Sequence, residues 1–187
     1  PICIGLRQNR FYGFCQPVQY REDKNFKFFH LWGAHSPYVY DRNLNYIPEG
    51  GTFRQSIEMC VTLADSYLEK LKENGVYDNS IIIILGDHGQ ENYCGQGNMN
   101  QHPALLIKGI NEKHEFRVNK TPVSFADMQD AYLKLLDGED SESLFDGLPK
   151  HRDRKFMWYD IKDSSQMTEY RQTGRSGDME TMVTAGE

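Results

Sequence analysis

Asp87 and His88 stand side by side in Leu85-Gly86-Asp87-His88-Gly89-Gln90-Glu91, directly after four consecutive isoleucines, Ile81 to Ile84. A carboxylate beside an imidazole offers one hard and one borderline donor to a divalent ion such as Zn²⁺ or Mn²⁺. Further imidazoles occur at His35, within Gly33-Ala34-His35-Ser36-Pro37-Tyr38, and at His102, before Pro103. Together they suit metal-assisted attack on an anionic ester. A divalent ion neutralises ester oxygens or activates a nucleophile, and histidines hydrogen-bond the non-bridging oxygens or protonate the leaving group. Plainer readings stand beside this one: Asp87 caps a turn, His88 packs above a sheet, and His102 is a loop histidine next to a proline. A catalytic metal site normally takes three protein ligands, and Asp87 with His88 leaves that set incomplete.

The elements that would position these residues follow from periodicity. The isoleucine run reads as a strand buried on both faces, as inside a parallel sheet. Ligands of open α/β sheets bind at the carboxyl ends of strands, which is where Asp87 and His88 fall. Residues 26–32 read as an earlier strand ended by Gly33. Residues 52–74 read as a helix, with Ile57, Val61, Ala64, Leu68 and Leu71 on one face. Gly75 falls at its C-terminal cap, and Lys70 and Lys72 favour its dipole. Strand, helix and strand in that order predict a right-handed crossover with parallel strands, which would bring the His35 loop to the rim carrying Asp87 and His88.

The segment from Asn92 to Gln101 is rich in glycine and asparagine and has no helical pattern. A parallel return needs a helix-sized crossover, so the apolar run 104–107 is expected antiparallel to the isoleucine strand, with His102 at the same rim. Residues 125–136 read as a helix, with Ser124 and Asp127 resembling a capping box and Phe125, Met128, Tyr132 and Leu135 on its apolar side. Residues 155–160 are a last strand candidate, and the chain beyond Ser164 reads as a surface hairpin or loosely packed tail. No repeat or low-complexity linker divides the chain. The expected fold class is α/β, a mostly parallel sheet flanked by helices.

Composition narrows the partners. With 187 residues and 39% hydrophobic content the chain can bury a sizeable core. A formal net charge of −6 and scattered Lys and Arg argue against nucleic acid; the basic stretch Lys150 to Lys155 reads as a solvated loop. No apolar run approaches the roughly 20 residues of a membrane span, and no charged n-region opens the chain. Cys3, Cys15, Cys60 and Cys94 show no C-x-x-C or zinc-finger spacing and read as separate thiols, a Cys3–Cys15 bridge remaining open in an oxidising compartment.

The strand ending in Gly86-Asp87-His88-Gly89 resembles the metal-binding signature of the sulfatase branch of the alkaline phosphatase superfamily. That branch includes arylsulfatases, phosphoethanolamine transferases and lipoteichoic-acid-synthase-like phosphoglycerol transferases. Phe29-His30-Leu31-Trp32-Gly33-Ala34-His35-Ser36-Pro37-Tyr38, Gly75-Val76-Tyr77-Asp78-Asn79-Ser80 and His102-Pro103-Ala104-Leu105-Leu106-Ile107-Lys108-Gly109 resemble it in the same order. The last two look closer to the phosphoglycerol transferases. The resemblance, over roughly 26–136, implies an alkaline-phosphatase-like fold, with Asp87 and His88 as ligands of a divalent ion (Zn, Mn, Mg or Ca). It implies His35 as a contact to the substrate's sulfate or phosphate group and His102 as a further substrate-binding residue.

The family's nucleophile and the acidic ligand after its first strand have no counterpart here. The expectation is therefore that residues 1–187 are the C-terminal portion of a sulfatase-like catalytic domain, inactive alone, whose N-terminal half is a missing partner. Such an enzyme acts on sulfate or phosphate esters, as a hydrolase with water as acceptor or as a transferase with a glycolipid or glycan as acceptor, in an extracytoplasmic domain that is membrane-anchored or secreted. Two other readings stay open. One is a non-catalytic module binding an anionic glycan or lipid headgroup through His35 with Tyr38, Tyr40, Tyr46 and Tyr93. The other is a structural half-domain stable only beside a partner.

Overall fold

The structure is a computed structural model that describes residues 25–31, 33–89, 102–159, 165, 167–175, 180 and 182–184. Cys3, Cys15, Tyr93, Cys94 and the segment 90–101 lie outside the described residues. The chain divides into two compact units, Pro1–Tyr77 and Asp78–Glu187.

The first unit is organised by helix α1, Phe53–Glu73. Thr52 caps its N-terminus: the Thr52 hydroxyl accepts from the Gln55 N–H at 3.2 Å, and Gln55 Oε1 accepts from the Thr52 N–H at 2.8 Å. Gly75, at φ 66°, follows the Asn74 cap in the left-handed conformation that only glycine adopts cheaply. The helix bounds match expectation, and the buried face does in part: Leu71 is buried and Ala64 and Leu68 are half-buried, but the N-terminal half of the expected face is not covered. Ser56, Met59, Leu63 and Leu71 are buried, whereas Ile57 and Val61 are 38% and 62% exposed. The segment 25–31 forms no strand; Phe26 is 91% exposed, and Phe29 packs edge-on against Tyr67 of α1 with ring centroids 5.0 Å apart. An extended run becomes a strand only when a neighbour takes its backbone groups, and helix packing of Phe29 replaces that pairing.

The second unit holds two small antiparallel sheets. Strands β1, Ile82–Leu85, and β2, Leu105–Lys108, pair antiparallel with Leu85 opposite Leu105, as expected from a connecting sequence without helical pattern. A 3-10 turn at Phe125–Asp127 leads into helix α2, Met128–Leu136. Met128, Ala131 and Leu135 of α2 form a core with Leu144 and Phe145, against which Ile81, Ile83, Leu105 and Ile107 pack. Phe125 and Tyr132, expected on that apolar side, are 52% and 38% exposed. Lys108 closes the far end of the sheet, its ammonium donating to the carbonyls of Asp78, Ser80 and Gly109 at 3.2, 3.0 and 2.8 Å.

Strands β3, Arg154–Tyr159, β4, Met167–Gln172, and β5, Met182–Thr184, form the other sheet, an antiparallel meander. The hairpin expected beyond Ser164 is therefore present. The basic stretch before it is solvated only in part: Lys150 and Lys155 are exposed, but its two arginines are engaged. Arg152 forks onto the Asp127 carboxylate, and Arg154 donates to the carbonyls of Val123 and Gly174. The architecture is mixed α/β, and every strand pairing among the described residues is antiparallel.

Candidate functional site

The β1 strand delivers its chemistry at its carboxyl end. The Gly86 N–H donates to the Ala104 carbonyl at 2.9 Å, extending the ladder one residue beyond Leu85, after which the chain bends at Asp87 and His88. Because β2 runs the opposite way, its entry lies at the same rim. A methyl group at Gly86 would stand 3.6 Å from Pro103 Cβ, which sets the residue that follows His102 beside the end of β1.

At the bend the Asp87 carboxylate accepts the His88 N–H at 3.0 Å, and His88 Nδ1 lies 2.6 Å from the Gly89 carbonyl. With Nδ1 donating to that carbonyl, Nε2 is the acceptor nitrogen. His88 Nε2 is 3.9 Å from Asp87 Oδ2, and the two side chains are 61% and 87% exposed. Two donors each about 2.1 Å from one ion stand about 3.4 Å apart at a tetrahedral angle and about 4.2 Å when opposite one another. At 3.9 Å Asp87 and His88 are wider than a tetrahedral pair, so sharing one ion takes a small side-chain rotation, and both are open to solvent.

His35 belongs to the first unit. Its ring Nδ1 donates to the Ser36 carbonyl at 2.5 Å, and the side chain is exposed. The tyrosines of the binding-module reading pack on their own neighbours: Tyr38 against Phe53 at 5.7 Å between centroids, Tyr40 against Tyr46 at 5.8 Å. The Cys60 thiol is unpaired, and burial pushes its pKa up. No described helix is long and apolar enough to cross a membrane.

A second constellation was not anticipated. Donor atoms of Glu112, His114 and Asp140 lie within 4.8 Å of one another, close enough to meet on one divalent ion of unspecified identity. Glu112 is already engaged, however. Its carboxylate accepts the Gly109 N–H at 2.7 Å, the Ser141 hydroxyl at 2.7 Å and the Ser141 N–H, tying the loop after β2 to the turn after α2. Burial opposes its ionisation, but these bonds outweigh burial and hold its pKa low. The His114 ring donates to the Glu115 carbonyl and faces Glu142 and Glu112, which together raise its pKa. The only sequence signal was the Glu-x-His spacing of 112 and 114, in a stretch without strand or helix pattern; Asp140 joins through the tertiary fold. No family model, curated protein or solved structure matches the chain.

Proposed function

We propose that this chain is part of a metal-dependent enzyme of the sulfatase branch, acting on sulfate or phosphate esters. The reaction is hydrolysis or transfer of a phosphoglycerol or phosphoethanolamine type of group. The carrying observation is the exposed Asp87–His88 pair, its donors 3.9 Å apart at the carboxyl end of an isoleucine strand. The antiparallel return supports it by setting Pro103, the residue after His102, beside Gly86. The donor chemistry fits a divalent ion: one carboxylate oxygen and one imidazole nitrogen, each on a side chain open to solvent. Such an ion supplies Lewis-acid neutralisation of the ester oxygens.

Asp87 and His88 hold that charge, and His102 contacts the non-bridging oxygens of the sulfate or phosphate; His35, in the first unit, is by the same resemblance an anion contact in its own right. Further ligands and the nucleophile come from other parts of a larger, mostly parallel, alkaline-phosphatase-like domain, so the chain alone does not turn over. A glycolipid or glycan acceptor and a location outside the cytoplasm, membrane-anchored or secreted, belong to the same reading.

Mn²⁺ titration of the chain, followed by proton NMR of the histidine rings, tests it. Sub-stoichiometric Mn²⁺ is expected to broaden the His88 signals first, reversibly with EDTA, and Asp87→Ala is expected to abolish that broadening. Broadening of His114 alone would move the metal to the Glu112 cluster and sink this assignment.

A further inference from the structure

Residues 33–38 carry His35 and are anchored at both ends within the first unit. The Gly33 carbonyl accepts from Ser56 Oγ at 2.7 Å, and the Tyr38 carbonyl accepts from the Gly51 N–H at 2.5 Å. Ser56 lies in the first turn of α1 and is 2% exposed. Hydroxyls inside a helix usually bond back to the carbonyl four residues earlier. Thr62 does so to Glu58 at 3.0 Å, and Ser66 to Thr62 at 2.8 Å. Ser56 instead reaches out of its helix to a residue 23 positions away. Gly33 is seated as closely: a Cβ there would stand 2.2 Å from Cys60 Sγ, so the thiol or the loop would have to move. Glycine at 33 is what lets the backbone come down onto the Ser56–Cys60 stretch of α1.

We propose that Ser56 is the positioning residue for His35: its buried hydroxyl, with Gly33 seated against Cys60, fixes the 33–38 loop and presents the exposed imidazole to an anionic sulfate or phosphate group. The anion contact rests on the functional reading above; the anchoring of the loop stands on the first unit alone. At the Gly33 end one hydrogen bond and one close backbone approach do the holding, and each can be removed singly.

The test titrates inorganic sulfate into the full chain, following the His35 ring signal, with amide hydrogen exchange of residues 34–38 measured in parallel. Ser56→Ala is expected to speed exchange across 34–38 and to weaken sulfate binding about fivefold, the factor carried by one net hydrogen bond of typical strength. Ser56→Thr, which keeps the hydroxyl, is expected to restore both readouts. Gly33→Ala is expected to release the loop in the same way. Adding Cys60→Ala should recapture it, because the β-carbon at position 60 lies 3.7 Å from the new methyl. That pair decides the matter should Ser56→Ala fail to fold. Unchanged exchange and unchanged affinity in Ser56→Ala, or a Gly33→Ala loop indistinguishable from wild type, overturn the proposal. Sulfate binding that survives His35→Ala would instead remove His35 as the anion contact, leaving the exchange data to judge Ser56.

Discussion

Asp127 shows how much a single carboxylate can organise. Its Oδ2 accepts both the N–H and the hydroxyl of Ser124, at 2.7 and 3.1 Å, and both its oxygens take the fork of Arg152. The entry to α2 is thereby tied to the segment leading into β3. Burial alone would raise the Asp127 pKa, but the Arg152 guanidinium and Ser124 outweigh it and bring the net value below the ordinary 3.8. A carboxyl with a depressed folded pKa adds stability that is present above its unfolded value and is lost as pH falls through the folded one. Asp127→Asn should therefore cost about 1–3 kcal/mol near neutrality, the range for a part-buried charge-assisted bond. The gap to wild type should close as acid protonates Asp127. Urea denaturation of both proteins down a pH series checks this, and a pH-independent gap would mean that the charge contributes nothing. The Ser124–Asp127 half of this unit was legible in the sequence because it is local. Arg152 was read as solvated because a partner 25 positions away leaves no local pattern.

At the scale of the element, α1 separates what periodicity can decide from what it cannot. Its bounds were readable: Thr52 and Gln55 form the cap, Lys70 and Lys72 lie in the last turn, and Gly75 follows the end. The buried face was legible only in part: Leu71 is buried as the period asks, but Ile57 and Val61 are not. Ile57, Met59, Val61 and Leu63 make the apolar stripe wide enough that stripes beginning at 56 or at 57 both satisfy a helical period. The choice falls to the neighbours: the Gly33 carbonyl needs the Ser56 hydroxyl, and the Phe29 ring settles on Tyr67. The consequence is measurable. Leu63→Ala, at 4% exposure, should lose about 2–5 kcal/mol, the span for a buried leucine. Val61→Ala, at 62% exposure, should stay within about 0.5 kcal/mol of wild type. Thermal or chemical denaturation of the pair decides between the faces, and the reverse ranking would restore the one centred on Ile57 and Val61.

Across the whole molecule, the isoleucine run sets the sharpest contrast between what the residues ask for and what the described chain provides. Four β-branched residues in a row read as a strand covered on both sides. In the second unit, Ile81 and Ile83 rest on the α2 core, while Ile84 and its register partner Leu106 are 36% and 43% exposed. That the end of β1, with Asp87 and His88, lies beside the start of β2 was legible because an antiparallel return places both strand ends together whatever covers the sheet. The strand neighbours were not, since pairing partners are chosen in three dimensions, and the 26–32 run that periodicity offered forms no strand in its described part. An open apolar face of this kind binds hydrophobic dyes. Wild-type chain should therefore enhance ANS fluorescence, and Ile84→Lys should reduce it while shifting stability by less than about 1 kcal/mol, as surface substitutions do. Paired ANS titration and urea denaturation supply both readouts. A loss of several kcal/mol in Ile84→Lys would show that the face is already covered, because a charge is costly only where burial removes it from water.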